Sequence, residues 1–297
     1  MNDYKKYLQP DEIARLANLE LKARLVVEGF ITGLHRSPYH GFSVEFAEHR
    51  PYWPGDEVRH IDWKVFGRTD RYFVKQFEEE TNLRSVIAVD SSASMKYSSD
   101  GRLSKFEYAC YLAAAIAYML INQRDAIGLA LYDTKIHSYL PPSSKRSYIR
   151  EILRLLETTT PANETGTAAA LDLLAERIKR RGLVVIMSDF FDNPDSVMHA
   201  LNHFRHNKHE VIAFQILDPR ERDFKFGKAA NFIDMETGEE MITHPYQIER
   251  SYTSAMKEFM AKIKHQCRLH NIDYHLVDTT MPFDKSLRDY MAKRAKM

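Results

Sequence analysis

Three short stretches carry residues whose types and spacing suit chemistry. Asp90-Ser91-Ser92-Ala93-Ser94 follows the apolar run LRSVIAVD directly. Asn163-Glu164-Thr165 opens a helix-like stretch, and Ser188-Asp189 closes a second apolar run, LVVIMS. The D-x-S-x-S spacing gathers one carboxylate and two hydroxyls in a tight strand-to-helix loop. Asp90, Ser92, Ser94, Thr165 and Asp189 make an all-oxygen set, which selects Mg2+, Mn2+ or Ca2+ over zinc or copper. Two carboxylates among hydroxyls leave such an ion electrophilic. Magnesium also keeps waters that an outside carboxylate can replace. Taken alone, D-x-S-x-S is also ordinary N-cap chemistry, and Asp189 by itself suits a helix cap.

The elements that must position these residues follow from hydrophobic periodicity. From Leu83 onward, strands and helices alternate. Strands are expected at LRSVIAVD, Ala126–Tyr132, Leu183–Ser188, Glu210–Leu217 and Ile272–Val277, with Ile136–Leu140 pairing beside the second. Helices are expected at Ser104–Ile121, Lys145–Thr158, Thr167–Arg181, Asp195–Asn207, Gln247–Leu269 and Phe283–Lys296. Asp218–Pro245 breaks the rhythm with a hairpin around Thr237-Gly238. Apolar strands joined through helices imply a mostly parallel sheet flanked by helices, with ligands at the carboxyl ends of the strands. All three stretches fall at that edge.

Residues 1–80 have a different texture, polar and aromatic. Asp11–Val27 has helical spacing, a loop-rich stretch follows, and Arg71–Glu80 reads as a strand. The expected division is an N-terminal helix and loop/strand extension, residues 1–80, and an α/β domain, residues 81–297, with a hairpin insertion at 218–245.

The 297 residues include 42 Lys plus Arg and 41 Asp plus Glu, a net charge of +1. That balance argues against a generally basic nucleic-acid binder. Lys145, Arg146, Arg150 and Arg154 form one basic helix face, but no stacking aromatics accompany it. Cys110 and Cys267 are far apart and form no C-x-x-C pair, which fits a reducing compartment. The polar start and the lack of an apolar run of ~20 residues point to a cytoplasmic protein with no membrane span.

The metal-ligating set resembles the metal-ion-dependent adhesion site of von Willebrand A domains. The resemblance implies Ser92, Ser94 and Thr165 as direct ligands, with Asp90 and Asp189 direct or through water. It implies a von Willebrand A-like, Rossmann-like fold. Thr165 is preferred to Thr167 because Leu171 follows it at the spacing that family shows. The N-terminal segment extends the match. It resembles the signature of a bacterial family catalogued as domain of unknown function 58. The matching residues are Ser37, Gly41, Arg50, Tyr52, Pro54, Gly55, Asp56, Arg59, Ile61, Asp62, Trp63, Arg68, Glu78 and Met95. Gly67 departs from the alanine often found there. Members are typically encoded beside MoxR-type AAA+ ATPases, which implies a complex-assembly or chaperone-like role with such an ATPase.

Arg50, Asp56, Arg59, Asp62 and Arg68 make either a docking surface or a salt-bridge network ordering the N-terminal segment. Trp53 and Trp63 read as packed residues more readily than as interface anchors. His35, His40, His49 and His60 share no zinc-ligand spacing. The expected function is a non-catalytic, metal-dependent protein-binding module. The alternatives are a metal-dependent phosphohydrolase and a structural module with a vestigial site. Against the phosphohydrolase, Ser92 stands where a D-x-D phosphatase needs its second carboxylate, and no Gly-rich phosphate loop appears.

Overall fold

A computed structural model describes residues 9–14, 16, 18–35, 50–52, 63–74, 83–162, 166–226, 230–235 and 239–294. The chain divides into two units, residues 1–33 with 83–297, and residues 34–82. This differs from a boundary at residue 80, because the N-terminal helices go with the α/β unit. They are α1 (Pro10–Ala14) and α2 (Leu19–His35), where the sequence suggested one helix over Asp11–Val27. Asn18 caps α2, its Oδ1 accepting the Glu20 amide at 2.7 Å. Leu19, Ala23, Val26, Val27 and Phe30 recur at helical spacing and are buried. Two polar contacts tie α2 to the larger unit. The Leu19 amide donates to Glu157 (3.1 Å), and Lys22 Nζ donates to the Tyr111 hydroxyl (2.6 Å).

The smaller unit contains β1 (Arg50–Pro51), α3 (Trp63–Thr69) and β2 (Phe73–Val74). The two strands pair antiparallel, with Arg50 opposite Val74. Phe66 stacks on Tyr72 at 4.5 Å, and Trp63 meets Phe66 edge-on at 6.0 Å. Trp63 is nevertheless 56% exposed, so it is not the packed residue the sequence suggested. Residues 75–80 of the expected strand, with Trp53, His40, His49 and His60, lie outside the described residues.

The larger unit continues through β3 (Arg84–Asp90), α4 (Lys105–Asn122), β4 (Ala126–Tyr132), β5 (Ile136–Ser143), α5 (Tyr148–Thr158) and α6 (Thr167–Arg177). Then come β6 (Leu183–Ser188), α7 (Pro194–His206), β7 (Glu210–Leu217) and α8 (Pro219–Asp223). A hairpin, β8 (Ala230–Ile233) and β9 (Glu240–Thr243), precedes α9 (Pro245–Leu269), β10 (Asp273–Asp278) and α10 (Phe283–Arg294). Six strands form one sheet in the order β10-β7-β6-β3-β4-β5, parallel throughout except for β5. The central strands are Val-, Ile- and Ala-rich and buried along nearly their whole length, as expected when helices cover both faces. The fold is thus the mostly parallel α/β sheet flanked by helices that the periodicity implied.

Local chemistry sets the boundaries. Ser104 caps α4 in a capping box: its hydroxyl accepts the Glu107 amide (3.2 Å), while Glu107 accepts the Ser104 amide (2.8 Å). The outer strand β5 is irregular. A Cβ on Gly128 of β4 would lie 2.5 Å from the Leu140 carbonyl and 2.9 Å from the Pro142 nitrogen, so only glycine fits. The register shifts there, and Pro141 and Pro142 place two residues without amide hydrogens in the strand.

The hairpin expected within 218–245 forms, with Asn231 opposite Ile242. Residues 236–238 at its turn lie outside the described residues. Phe224, Phe232 and Tyr252 pack at its base, Phe224 lying 5.5 Å from Phe232 and 4.2 Å from Tyr252. Among the described residues, no helix is long and apolar enough to cross a membrane.

The parallel strands share a charge polarity. At their carboxyl ends stand Asp90, Asp133, Asp189, Asp218 and Asp278. At or just before their amino ends stand Arg84, Arg124, Arg181 and Lys208, together with Asp125, Glu210 and Asp273. The carboxyl edge is therefore acidic throughout, while the amino edge carries charges of both signs.

Candidate metal centre

Neighbouring strands β3 and β6 are in register, with Val89 opposite Met187, so Asp90 and Ser188 emerge side by side at the acidic edge. The Asp90 carboxylate is fully buried. Its Oδ1 accepts the Ser92 amide (2.9 Å), closing a tight Asx turn. Its Oδ2 accepts the hydroxyls of Ser188 (2.6 Å) and Thr167 (3.2 Å). Burial raises the Asp90 pKa to about 6, and the nearby charge of Asp189 adds to the rise. The bonds from Ser188 and Ser92 oppose that shift without cancelling it.

Beyond Asp90 the chain turns into a 3-10 segment, Ala93–Lys96. Ser91 faces away from the centre, its hydroxyl donating to the Tyr132 carbonyl (2.9 Å). That explains why the second position of D-x-S-x-S supplies no ligand. Ser92 Oγ and Ser94 Oγ lie 3.1 Å apart, and Ser94 Oγ donates to Asp189 Oδ2 at 2.8 Å. Asp189 is fully buried. Its Oδ1 accepts the Phe191 amide (3.0 Å), in a turn where Phe190 adopts φ +58°. Gln215 Nε2 donates to the Asp189 carbonyl (2.8 Å), holding the loop from the adjacent strand.

A buried cation joins this group. Lys105 Nζ lies 2.7 Å from Asp189 Oδ2 and 2.6 Å from Glu221 Oε1. Burial alone would lower the Lys105 pKa, but the charges and hydrogen bonds of Asp189 and Glu221 outweigh it and hold the pKa above its ordinary value. Burial raises the Glu221 pKa, partly countered by Lys105. Glu221 also completes a capping box at α8, its Oε2 accepting the Asp218 amide (3.0 Å). Two carboxylates, Asp189 and Glu221, thus flank the ammonium, and Asp90 lies close enough to Asp189 for their charges to interact.

The donors suit a small hard cation. All are oxygens, and carboxylate charge exceeds what Lys105 supplies. Oxygens in adjacent positions of an octahedral magnesium shell lie about 3.0 Å apart, from metal–oxygen distances of about 2.1 Å. The Ser92–Ser94 and Ser94–Asp189 spacings of 3.1 and 2.8 Å match that separation. Among the described residues, no three or more His, Cys, Asp or Glu side chains group to hold a metal. A cation here would rely on the hydroxyls.

Of the ligands read from sequence, Asp90, Ser92, Ser94 and Asp189 come together. Thr165, with Asn163 and Glu164, lies outside the described residues. The threonine that reaches Asp90 is Thr167, the first residue of α6. Of the second set, Asp56, Arg59 and Asp62 lie outside the described residues, Arg50 sits on β1, and Arg68 is exposed on α3. Sequence reasoning missed Lys105 and Glu221. The signal for Lys105 was its place on the apolar stripe of α4, in line with Tyr108, Ala109 and Leu112, all fully buried. A lysine at such a position needs a carboxylate partner.

A family profile described as "Protein of unknown function DUF58" matches residues 48–266. An uncharacterized protein of Mycobacterium tuberculosis, Rv1480, is 33% identical over 215 residues, which is 71% of this chain and 67% of that protein. The uncharacterized protein Mb1516 of Mycobacterium bovis matches to the same extent. Among solved structures, an aerotolerance-related membrane protein from Bacteroides fragilis superposes with a TM-score of 0.50 at 18% identity. That match covers 72% of this chain and all of that one. At this identity the likeness concerns the fold alone.

Proposed function

The chain belongs to the DUF58 family of proteins of unknown function, and on that premise we propose that it is a cytoplasmic, von Willebrand A-like module holding one divalent cation, Mg2+ or else Mn2+ or Ca2+, with which it binds a partner protein. One observation carries the reading. At two neighbouring strand ends, Ser92, Ser94 and Asp189 converge through oxygen–oxygen contacts of 3.1 and 2.8 Å, beside Asp90, whose Oδ1 accepts the Ser92 amide at 2.9 Å.

Ser92 and Ser94 are the direct oxygen donors in this reading, with Thr165 or Thr167 as the third hydroxyl. Asp90 and Asp189 supply the charge, directly or through water. Ser188 and Thr167 fix the Asp90 carboxylate, and Lys105 fixes Asp189. When bound, the cation offers an electrophilic position for an acidic side chain of the partner. The family resemblance points to a MoxR-type AAA+ ATPase or its client as that partner. No catalytic role is proposed, since the loop has only one carboxylate of the D-x-D kind.

The test is capture of a co-expressed MoxR-type ATPase by the tagged chain, with and without EDTA. The expected result is capture that EDTA abolishes and that an Asp90→Ala/Ser92→Ala variant lacks. Equal capture by wild type and variant rejects the reading. The Lys105–Asp189–Glu221 cluster favours a second reading, a structural module whose own ammonium supplies the cation's charge. Calorimetric titration with Mg2+ and Mn2+ separates the two, because the second reading requires no binding.

A further inference from the structure

We propose that the opposite edge of the sheet carries a binding site for a phosphate-bearing ligand. A cleft of about 240 Å³ opens at the amino ends of β3 and β6. Arg84, Arg177, Lys179 and Arg180 line it, and no carboxylate does. None of these four side chains has an ion pair among the described residues. In a chain whose net charge is only +1, four cations around one cleft without an acid is a selective arrangement. Their mutual repulsion is relieved when an anion enters.

The cleft is built, not merely decorated with basic residues. Gly182 passes so close to β3 that a Cβ there would lie 2.1 Å from the Arg84 carbonyl. Only glycine permits that approach, and it brings the 179–181 loop against Arg84. Arg177 ends α6 and lays its guanidinium over the Tyr139 ring, 4.6 Å from the centroid. Stacking holds the guanidinium plane while leaving its N–H edge free to donate. Arginine forks match the several oxygens of a phosphoryl group better than a point charge does. Val86, Ile178 and the two prolines of β5 complete an apolar floor, which suits a phosphate ester with a small organic body. The site lies at the far end of the strands from Asp90 and does not depend on the metal reading.

The experiment titrates inorganic pyrophosphate into the full chain by calorimetry, with EDTA present. The expected result is saturable one-to-one binding, weakened about tenfold in Arg177→Gln by loss of charge-assisted hydrogen bonds. Tyr139→Leu weakens binding and Tyr139→Phe retains it. Lys262→Gln, which removes one positive charge elsewhere on the surface, leaves binding intact. Arg177 is exposed, so its replacement does not threaten folding. Heat that does not saturate, or equal affinity in Arg177→Gln and wild type, overturns the proposal. Binding to heparin without binding to pyrophosphate also overturns it, in favour of a general basic surface.

Discussion

Lys105 and Asp189 meet at 2.7 Å, and neither side chain is exposed to solvent. The pair joins the first turn of α4 to the loop after β6, 84 residues later in sequence. Removing one member leaves the other charge buried without its partner. Lys105→Met is therefore expected to destabilise the chain by about 3–5 kcal/mol in EDTA. Saturating Mg2+ should recover part of that loss if a divalent cation also neutralises Asp189. Urea unfolding with and without metal measures both effects, and an unchanged midpoint in EDTA would contradict the buried pair.

Ser94 and Ser91 differ by three positions but face different partners. Ser94→Ala is expected to lower Mn2+ affinity at least about tenfold, as loss of a ligating or orienting group does. Ser91→Ala removes only the bond to the Tyr132 carbonyl. It should cost about 1 kcal/mol of stability and leave metal affinity unchanged. Calorimetry on the two variants checks the contrast, which fails if they bind alike.

Gly182→Ala places a methyl group where the Arg84 carbonyl already stands. The strand entry must shift, at about 1–3 kcal/mol. Thermal unfolding provides the measurement. A variant as stable as wild type would mean that β3 and β6 do not approach so closely.

His209 is buried, its Nε2 facing the Ile178 carbonyl at 3.2 Å. Burial lowers its pKa below the ordinary value near 6.5, and backbone hydrogen bonds offset this only in part. The unfolded chain then binds more protons than the native one just below pH 6.5. Stability consequently falls as pH drops from 6.5 toward the depressed native pKa. His209→Gln should flatten that part of the profile. Urea unfolding at successive pH values tests it, and an unchanged slope would remove His209 as the cause.

The sheet was legible because its strands are short apolar runs with sharp polar ends. Leu183–Ser188 and Glu210–Leu217 are observed at the boundaries that periodicity implied. The four residues Asp90, Ser92, Ser94 and Asp189 were legible for a related reason: a parallel sheet delivers every strand end to one edge. What escaped was set by tertiary geometry. Nothing local distinguishes Thr167 from Thr165. The Thr167 contact to Asp90 was not anticipated, and Thr165, preferred from spacing, lies outside the described residues. Lys105 was hidden by its type, since lysine at a helix start reads as solvated surface until its stripe is checked for burial. Glu221 needed the path of the chain after β7, which no periodicity encodes. The helices ended earlier than expected at Arg177 and began later at Tyr148, where flanking polar residues continue the helical spacing without joining the helix.

The two adjacent prolines of β5 limit how other chains can approach. Successive amides of a strand point to opposite sides, so Pro141 and Pro142 together remove a donor from the inward side and one from the outward side. An outer strand normally offers a template onto which a foreign strand can be zipped. Here that template is interrupted near its carboxyl end, at the point where Gly128 already forces the register to slip. Recruitment by β-augmentation is thereby hindered at the carboxyl end of this margin.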